Sequence, residues 1–187
     1  MPSPIVSVSV KGDKDIQRAV GALRNIGKQL ATIHRLMALE AEKWIKKNFQ
    51  AEGKMAVSSG WRKLSPNTIA ARRKEGKGAK ILQDTGAMRG SINSKSSERD
   101  ARAGFGDKKA IWHHSGTRPY EIRPKRKRLL RFMTSGGQVS ARVVHHPGLA
   151  ARPLIPTKDQ IAPLVVKRLD LYVADLLRKQ GLKVRTT

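Results

Sequence analysis

The chain has 187 residues, 39 Lys or Arg against 14 Asp or Glu, and a formal net charge of +25. It has no cysteine, which excludes disulfides and thiolate zinc sites, and no apolar stretch approaches the roughly 20 residues that span a bilayer. Hydrophobic residues make up 39% and aromatics 4%, so the core must rest on Leu, Ile, Val and Ala, and a chain this basic repels itself until it meets an anionic partner.

Met1-Pro2-Ser3-Pro4 carries no basic segment before an apolar run, so no signal peptide is expected. Val6, Val8 and Val10 alternate with serines, the period of a strand within an N-terminal arm over 1–12. Asp13 or Asp15 then caps a long helix over 13–50. Ile16, Val20, Leu23, Ile26, Leu30, Ile33, Met37, Ala41, Trp44 and Phe49 recur at steps of mostly three and four. This predicts a helix of about 35 residues, roughly 50 Å long. Gly21 and Gly27 weaken it and mark a bend. Its narrow stripe suits a sheet or a neighbouring subunit.

Residues 51–60 read as a loop. Ser65 and Pro66 are an N-cap and first helical residue, and Gly76 stops that helix after a basic surface of Arg72, Arg73 and Lys74. Asp84-Thr85-Gly86 starts a short helix through Met88 to Ile92. From 93 to about 145 the pattern is β. A small antiparallel meander is predicted, with 120–123 and 129–132 joined by the turn Pro124-Lys125-Arg126-Lys127-Arg128. Ser135-Gly136-Gly137 turns into a strand over 138–144, and Pro147-Gly148 ends the sheet. Thr157 and Gln160 have capping-box spacing for a last helix over 158–180 with a stripe from Ile161 to Leu177. Pro163 places the start of its regular part there, Gly181 ends it, and 182–187 read as a mobile tail. The expected fold is one α+β domain: a long N-terminal helix and a C-terminal helix packed on a small antiparallel β-sheet.

Catalytic chemistry is poorly represented. His113-His114 and His145-His146 are adjacent pairs without a neighbouring carboxylate, and neighbours on a strand face opposite ways, which disfavours chelation of one ion. Gly104-Phe105-Gly106 is too short for a phosphate loop. No catalytic residue, cofactor site or metal site is therefore assigned. Arg123, Lys125, Arg126, Lys127, Arg128 and Arg131, together with Arg72, Arg73 and Lys74, form a basic surface facing DNA or an acidic partner. No aromatic is interleaved with these lysines, so base readout is not expected. Trp44, Trp61 and Trp112 read as core or interface residues.

Three segments carry a resemblance. The first is Gly60-Trp61-Arg62-Lys63-Leu64-Ser65-Pro66-Asn67-Thr68, followed by Ile81-Leu82-Gln83-Asp84-Thr85-Gly86-Ala87-Met88-Arg89-Gly90-Ser91-Ile92. The second is Ala110-Ile111-Trp112-His113-His114-Ser115-Gly116-Thr117. The third runs from Pro119-Tyr120-Glu121-Ile122-Arg123-Pro124-Lys125 through Leu130-Arg131-Phe132 and His146-Pro147-Gly148 to Ala151-Arg152-Pro153-Leu154-Ile155-Pro156. Together, over roughly 60–156, they resemble the phage tail-completion or head–tail joining proteins and the related phage virion morphogenesis proteins. Lys109 stands where the resemblance has an aromatic, and Leu154 where it has Phe.

The resemblance implies a non-enzymatic virion protein of the tail or neck, assembled in the host cytoplasm. It would form a ring of its own copies around or near the DNA channel. Its partners would be tail terminator, tail tube or connector proteins, with nonspecific contact to packaged DNA and none to membrane. Trp61, Asp84, Thr85, Gly86, Trp112, Pro147, Gly148, Arg152 and Pro153 are its motif and interface residues. Two other readings stay open: a basic nonspecific nucleic-acid-binding protein, and a metal-dependent nuclease built on the histidine pairs.

Overall fold

The computed structural model describes residues 6–8, 12–134 and 137–186. Its elements are β1 (Val6–Val8), α1 (Asp13–Gly27), α2 (Leu30–Gln50), α3 (Pro66–Lys74), α4 (Ala87–Gly90), β2 (Ile92–Ser96), β3 (Ala101–Phe105) and α5 (Lys109–Ser115). There follow β4 (Tyr120–Ile122), β5 (Leu130–Thr134), β6 (Gly137–Ala141), β7 (Val144–His146), α6 (Lys158–Lys179) and β8 (Val184–Thr186). The class is α+β, with helices at both ends. Among the described residues the strands form four two-stranded pairs, β1–β8, β2–β3, β4–β7 and β5–β6, in place of one sheet. No helix among these residues is long and apolar enough to cross a membrane.

The helix expected over 13–50 is two helices. α1 ends at Gly27, and the Lys28 N–H turns back to the carbonyls of Arg24 and Asn25 (3.4 and 3.1 Å). Glycine weakens a helix here because it gains no side-chain packing and loses the most backbone freedom. The next residue, Gln29, fixes the junction: its Oε1 accepts from Thr32 Oγ1 and Tyr172 Oη, each at 3.2 Å. Other boundaries follow cap chemistry. The Thr68 N–H donates to Ser65 Oγ (3.2 Å) at the start of α3. The Thr157 N–H donates to Gln160 Oε1 (3.1 Å), completing the capping box of α6. α6 begins at Lys158 despite Pro163, which lies in its second turn and is solvent-exposed, so the missing N–H strands a single carbonyl near the helix start.

Three expectations are corrected. The meander is a nested ribbon: β4 pairs β7 (Tyr120↔His146, Ile122↔Val144) and encloses the β5–β6 hairpin (Leu130↔Ala141, Phe132↔Val139). Pro124 cannot donate to a ladder, and the cations at 125–128 favour water, so the chain leaves the ladder after Ile122. The tail is a strand: β8 pairs β1, with Val6 opposite Thr186 and Val8 opposite Val184. Residues 109–115 are the helix α5 where β structure was predicted. Val10, Ser135 and Gly136, named in the expected strand and turn, lie outside the described residues.

Contacts divide the chain into two compact units. The first comprises Met1–Ile45, Asn93–Gly104 and Pro156–Thr187. Ala22, Leu177 and Leu182 are its buried cluster, backed by Ala19, Val173 and Val184. Ser94 Oγ donates to Glu42, and the His34 Nδ1–H to the Ser97 carbonyl (3.0 Å). Ile16, Val20, Leu164 and Leu171 stay exposed on its helices.

The second unit comprises Lys46–Ile92 and Phe105–Ile155. Its core is Phe49, Trp61, Ile81, Met88, Ala110 and Leu154. Phe49 meets Trp61 edge-on (5.1 Å, 81°) and Phe105 tilted (5.7 Å). Gly53 (φ +90°) is required there, because a Cβ would collide with the Trp61 indole.

Candidate functional site

The second unit holds every motif residue. Its anchor is the strap at 149–154. The Pro153 carbonyl accepts from Asn48 Nδ2 (3.1 Å) and Trp61 Nε1 (3.0 Å). The Leu154 N–H donates to His114 Nδ1 (3.0 Å), so that ring carries its proton on Nε2, and the Arg152 N–H donates to the His113 carbonyl (2.7 Å). Thr117 and Leu149 exchange backbone bonds (2.9 and 3.2 Å), and Thr117 Oγ1 also accepts from the Leu149 N–H (2.9 Å). Gly148 (φ +85°) fits because a side chain would strike the Thr117 carbonyl. The strap therefore locks α5 to the core through directional bonds.

What α5 presents outward is apolar. Ile111 is 68% exposed and Trp112 55%, although both are large hydrophobic groups. Ile111 borders an open apolar recess of about 300 Å³ with Phe105, Ala110, Leu154 and Ile155. Exposed apolar surface on an element this firmly anchored suits docking to another protein.

The basic residues separate into two groups. Arg123, Lys125, Arg126, Lys127, Arg128 and Arg131 are all exposed on the ribbon, as are Arg73 and Lys74 on α3. At the ribbon base, Arg123 pairs with Glu121 (2.7 Å) and holds that carboxyl below its ordinary range, while Tyr120 stacks on His146 (4.8 Å). Arg72 is different. Its side chain is 13% exposed, donates to the Lys80 carbonyl (2.8 Å) and lies 3.7 Å from Asp84, so it is an internal brace and not an outward cation.

Trp61 is likewise a core group, 4% exposed, its indole N–H donating to the Pro153 carbonyl. Asp84 pairs with Arg72 and Lys77, the latter at 3.3 Å. It is Thr85 Oγ1 that accepts the Ala87 N–H (3.3 Å) at α4, beside Gly86 at φ +76°. Pro147 is exposed, and the Gly148 N–H donates to His146 Nδ1 (3.0 Å). Two of the four paired histidines, His114 and His146, are thus acceptors for backbone N–H groups.

Two polar residues outside the predicted site set, Glu52 and Gln83, brace this unit. Glu52, at φ +50°, accepts the Ile81 backbone N–H (2.8 Å) on its carboxylate and the Trp61 backbone N–H (2.8 Å) on its carbonyl. Gln83 bridges the Phe49 carbonyl (3.3 Å) and Arg89 (3.1 Å). Polar residues within a loop carry no periodic signal, so Glu52 is unmarked in the sequence and Gln83 is marked only by standing in the segment before Asp84.

A second cavity, of about 340 Å³, lies between the turn at 84–86, α5 and the strap. Arg152 and His113 border it. The Nε of Arg152 and the Nδ1 of His113 are buried and make no hydrogen bond among the described residues. Burial, then the nearby Arg62, lowers the pKa of Arg152; burial, then Arg152, lowers that of His113.

Residues 12–173 match the phage virion morphogenesis family. That span is most of the chain, which therefore belongs to this family and has a role in building the phage particle. No curated protein and no solved structure gives a significant match.

Proposed function

We propose that this member of the phage virion morphogenesis family is a non-enzymatic structural protein of the virion neck, completing the tail and joining it to the head. The observation that carries this reading is the exposure of Ile111 and Trp112 on α5, a helix fixed by the strap bonds to His113, His114 and Thr117. Side chains on an anchored helix cost no backbone ordering on docking and gain the burial of their apolar area. Ile16 and Val20 on α1 and Leu164 and Leu171 on α6 are also exposed, and copies of the chain would cover them in a ring.

A ring of subunits each carrying +25 needs neutralisation. The exposed cations at 123–131 supply the contact, either to acidic faces of tail terminator, tube or connector proteins or to DNA passing through the ring. Phosphate contact would be independent of sequence. The test is electron microscopy of lysates from a phage carrying a stop codon in this gene. Filled heads beside separate tails are expected; complete, infectious particles would refute the reading. The second reading, a basic nonspecific nucleic-acid-binding protein, is favoured by the ribbon cations alone. It predicts tight duplex binding by the free chain and its absence from purified virions.

A further inference from the structure

The 340 Å³ cavity of the second unit has the composition of a receptor for an acid on an apolar stem. Leu64, Leu82, Met88 and Leu149 are among its walls. Arg152 and Lys109 reach it from the strap and from the first turn of α5, with His113 one turn beyond Lys109. The two carboxylates among its lining residues have partners of their own: Asp84 pairs with Arg72 and Lys77, and Asp107 accepts from the Lys109 backbone N–H (2.9 Å). Among the described residues, no carboxylate lies within ion-pairing distance of Arg152 or of the Lys109 ammonium. Arg152 Nη2 has the Arg62 carbonyl at 3.4 Å, while its buried Nε stays unbonded. A half-buried guanidinium without a counter-ion is a costly arrangement that a bound anion relieves.

We propose that this pocket takes the side-chain carboxylate of a glutamate on a neighbouring virion protein, clamped between Arg152 and Lys109. The proposal rests on the reading above that the chain docks to other virion proteins. Glutamate fits because its methylenes lie against the leucines while its oxygens reach the two cations. A duplex phosphate fits poorly. It arrives on a wide, densely charged rod with no apolar stem, and the lining residues Asp84 and Asp107 repel a polyanion more than a single acid.

The test uses the full chain and nuclear magnetic resonance. The Arg152 Nε–H and the α5 amides are followed while a Leu-Glu-Leu tripeptide, blocked at both ends, is added. Saturable shifts are expected, absent with Leu-Gln-Leu and weakened roughly tenfold in Lys109→Gln. Lys109 is exposed, so this variant keeps the fold. Arg152→Gln, where folded by its amide spectrum, should abolish the shifts. Equal response to the glutamine peptide, no change in Lys109→Gln, or saturation of the same signals by inorganic phosphate or a short duplex at lower concentration would overturn the proposal. Failure here leaves the neck reading standing, since presence of the chain on purified virions decides that independently.

Discussion

The second unit packs Phe49 against Trp61 and Phe105 and directs Asn48 and the Trp61 indole onto one carbonyl, that of Pro153. The clustered core of the first unit is aliphatic: Ala19 and Ala22 meet Val173, Leu177 and Leu182, with Trp44 and Ile45 also buried in that unit, while Ile16, Val20, Leu164 and Leu171 remain in water. One unit fixes its geometry through rings and directional bonds. The other packs mainly aliphatic groups and leaves large apolar side chains of α1 and α6 in water, as the second unit does with Ile111 and Trp112 on α5. A chain with 4% aromatics concentrates its rings where a shape must be held, and the proposed assembly would cover the apolar side chains left outside.

The contrast predicts where substitutions hurt most. Phe49→Ala should destabilise the chain by about 3–5 kcal/mol in a denaturant titration, because it removes both ring contacts from a fully buried site. Ile16→Ser should stay within about 0.5 kcal/mol of wild type. Comparable losses from the two would erase the distinction between the units.

Gly148→Ala comes next, at about 1–3 kcal/mol, because φ is +85° and the added methyl meets the Thr117 carbonyl. Thermal melts that are unchanged would mean that the strap is not the anchor described.

Replacing Arg126, Lys127 and Arg128 with Ser should leave stability unchanged, since all three are exposed. Duplex binding by the wild type should be weak, indifferent to sequence and gone by a few hundred millimolar salt, an order-of-magnitude figure. The slope of log affinity against log salt should fall by about 2–3 in the triple variant. An unaltered slope would place DNA contact elsewhere.

The smallest effect is pH-dependent. Burial and then Arg152 lower the His113 pKa below its ordinary 6.5, so the unfolded chain takes up the proton first. His113 adds no pH dependence above that value, and stability falls as pH drops through 6.5 toward the lower folded pKa. Partial solvent contact keeps the change small. His113→Gln should flatten the fall in a series of melts from pH 7.5 to 5, and an identical slope in the variant would assign it to other groups.

Legibility in the sequence followed the range of the interaction. The caps Ser65 with Thr68 and Thr157 with Gln160 act across three residues, so α3 and α6 could be read directly. The break at Gly27 was visible as a weak point but not as a full stop, because it also needs Tyr172 on Gln29, 143 positions away. α5 was missed: it is short, it has no side-chain cap bond, and the bonds that hold it come from residues 149–154. The pairings β4–β7 and β1–β8 depend on long-range register in the same way. Charge made the ribbon cations legible. The pocket was not, because Arg152, Lys109 and the turn at 84–86 are brought together only by the fold.

The central claim is that the exposed apolar side chains of α1 and α6 are covered on assembly, while the core around Phe49 is already closed in the free chain. Hydroxyl-radical footprinting of the free chain and of purified virions, read by mass spectrometry, tests it most directly. Ile16, Val20, Leu164 and Leu171 should be labelled in the free chain and protected in the particle, with Phe49 and Leu154 protected in both. Equal labelling of those four positions in the virion and in the free chain would contradict it.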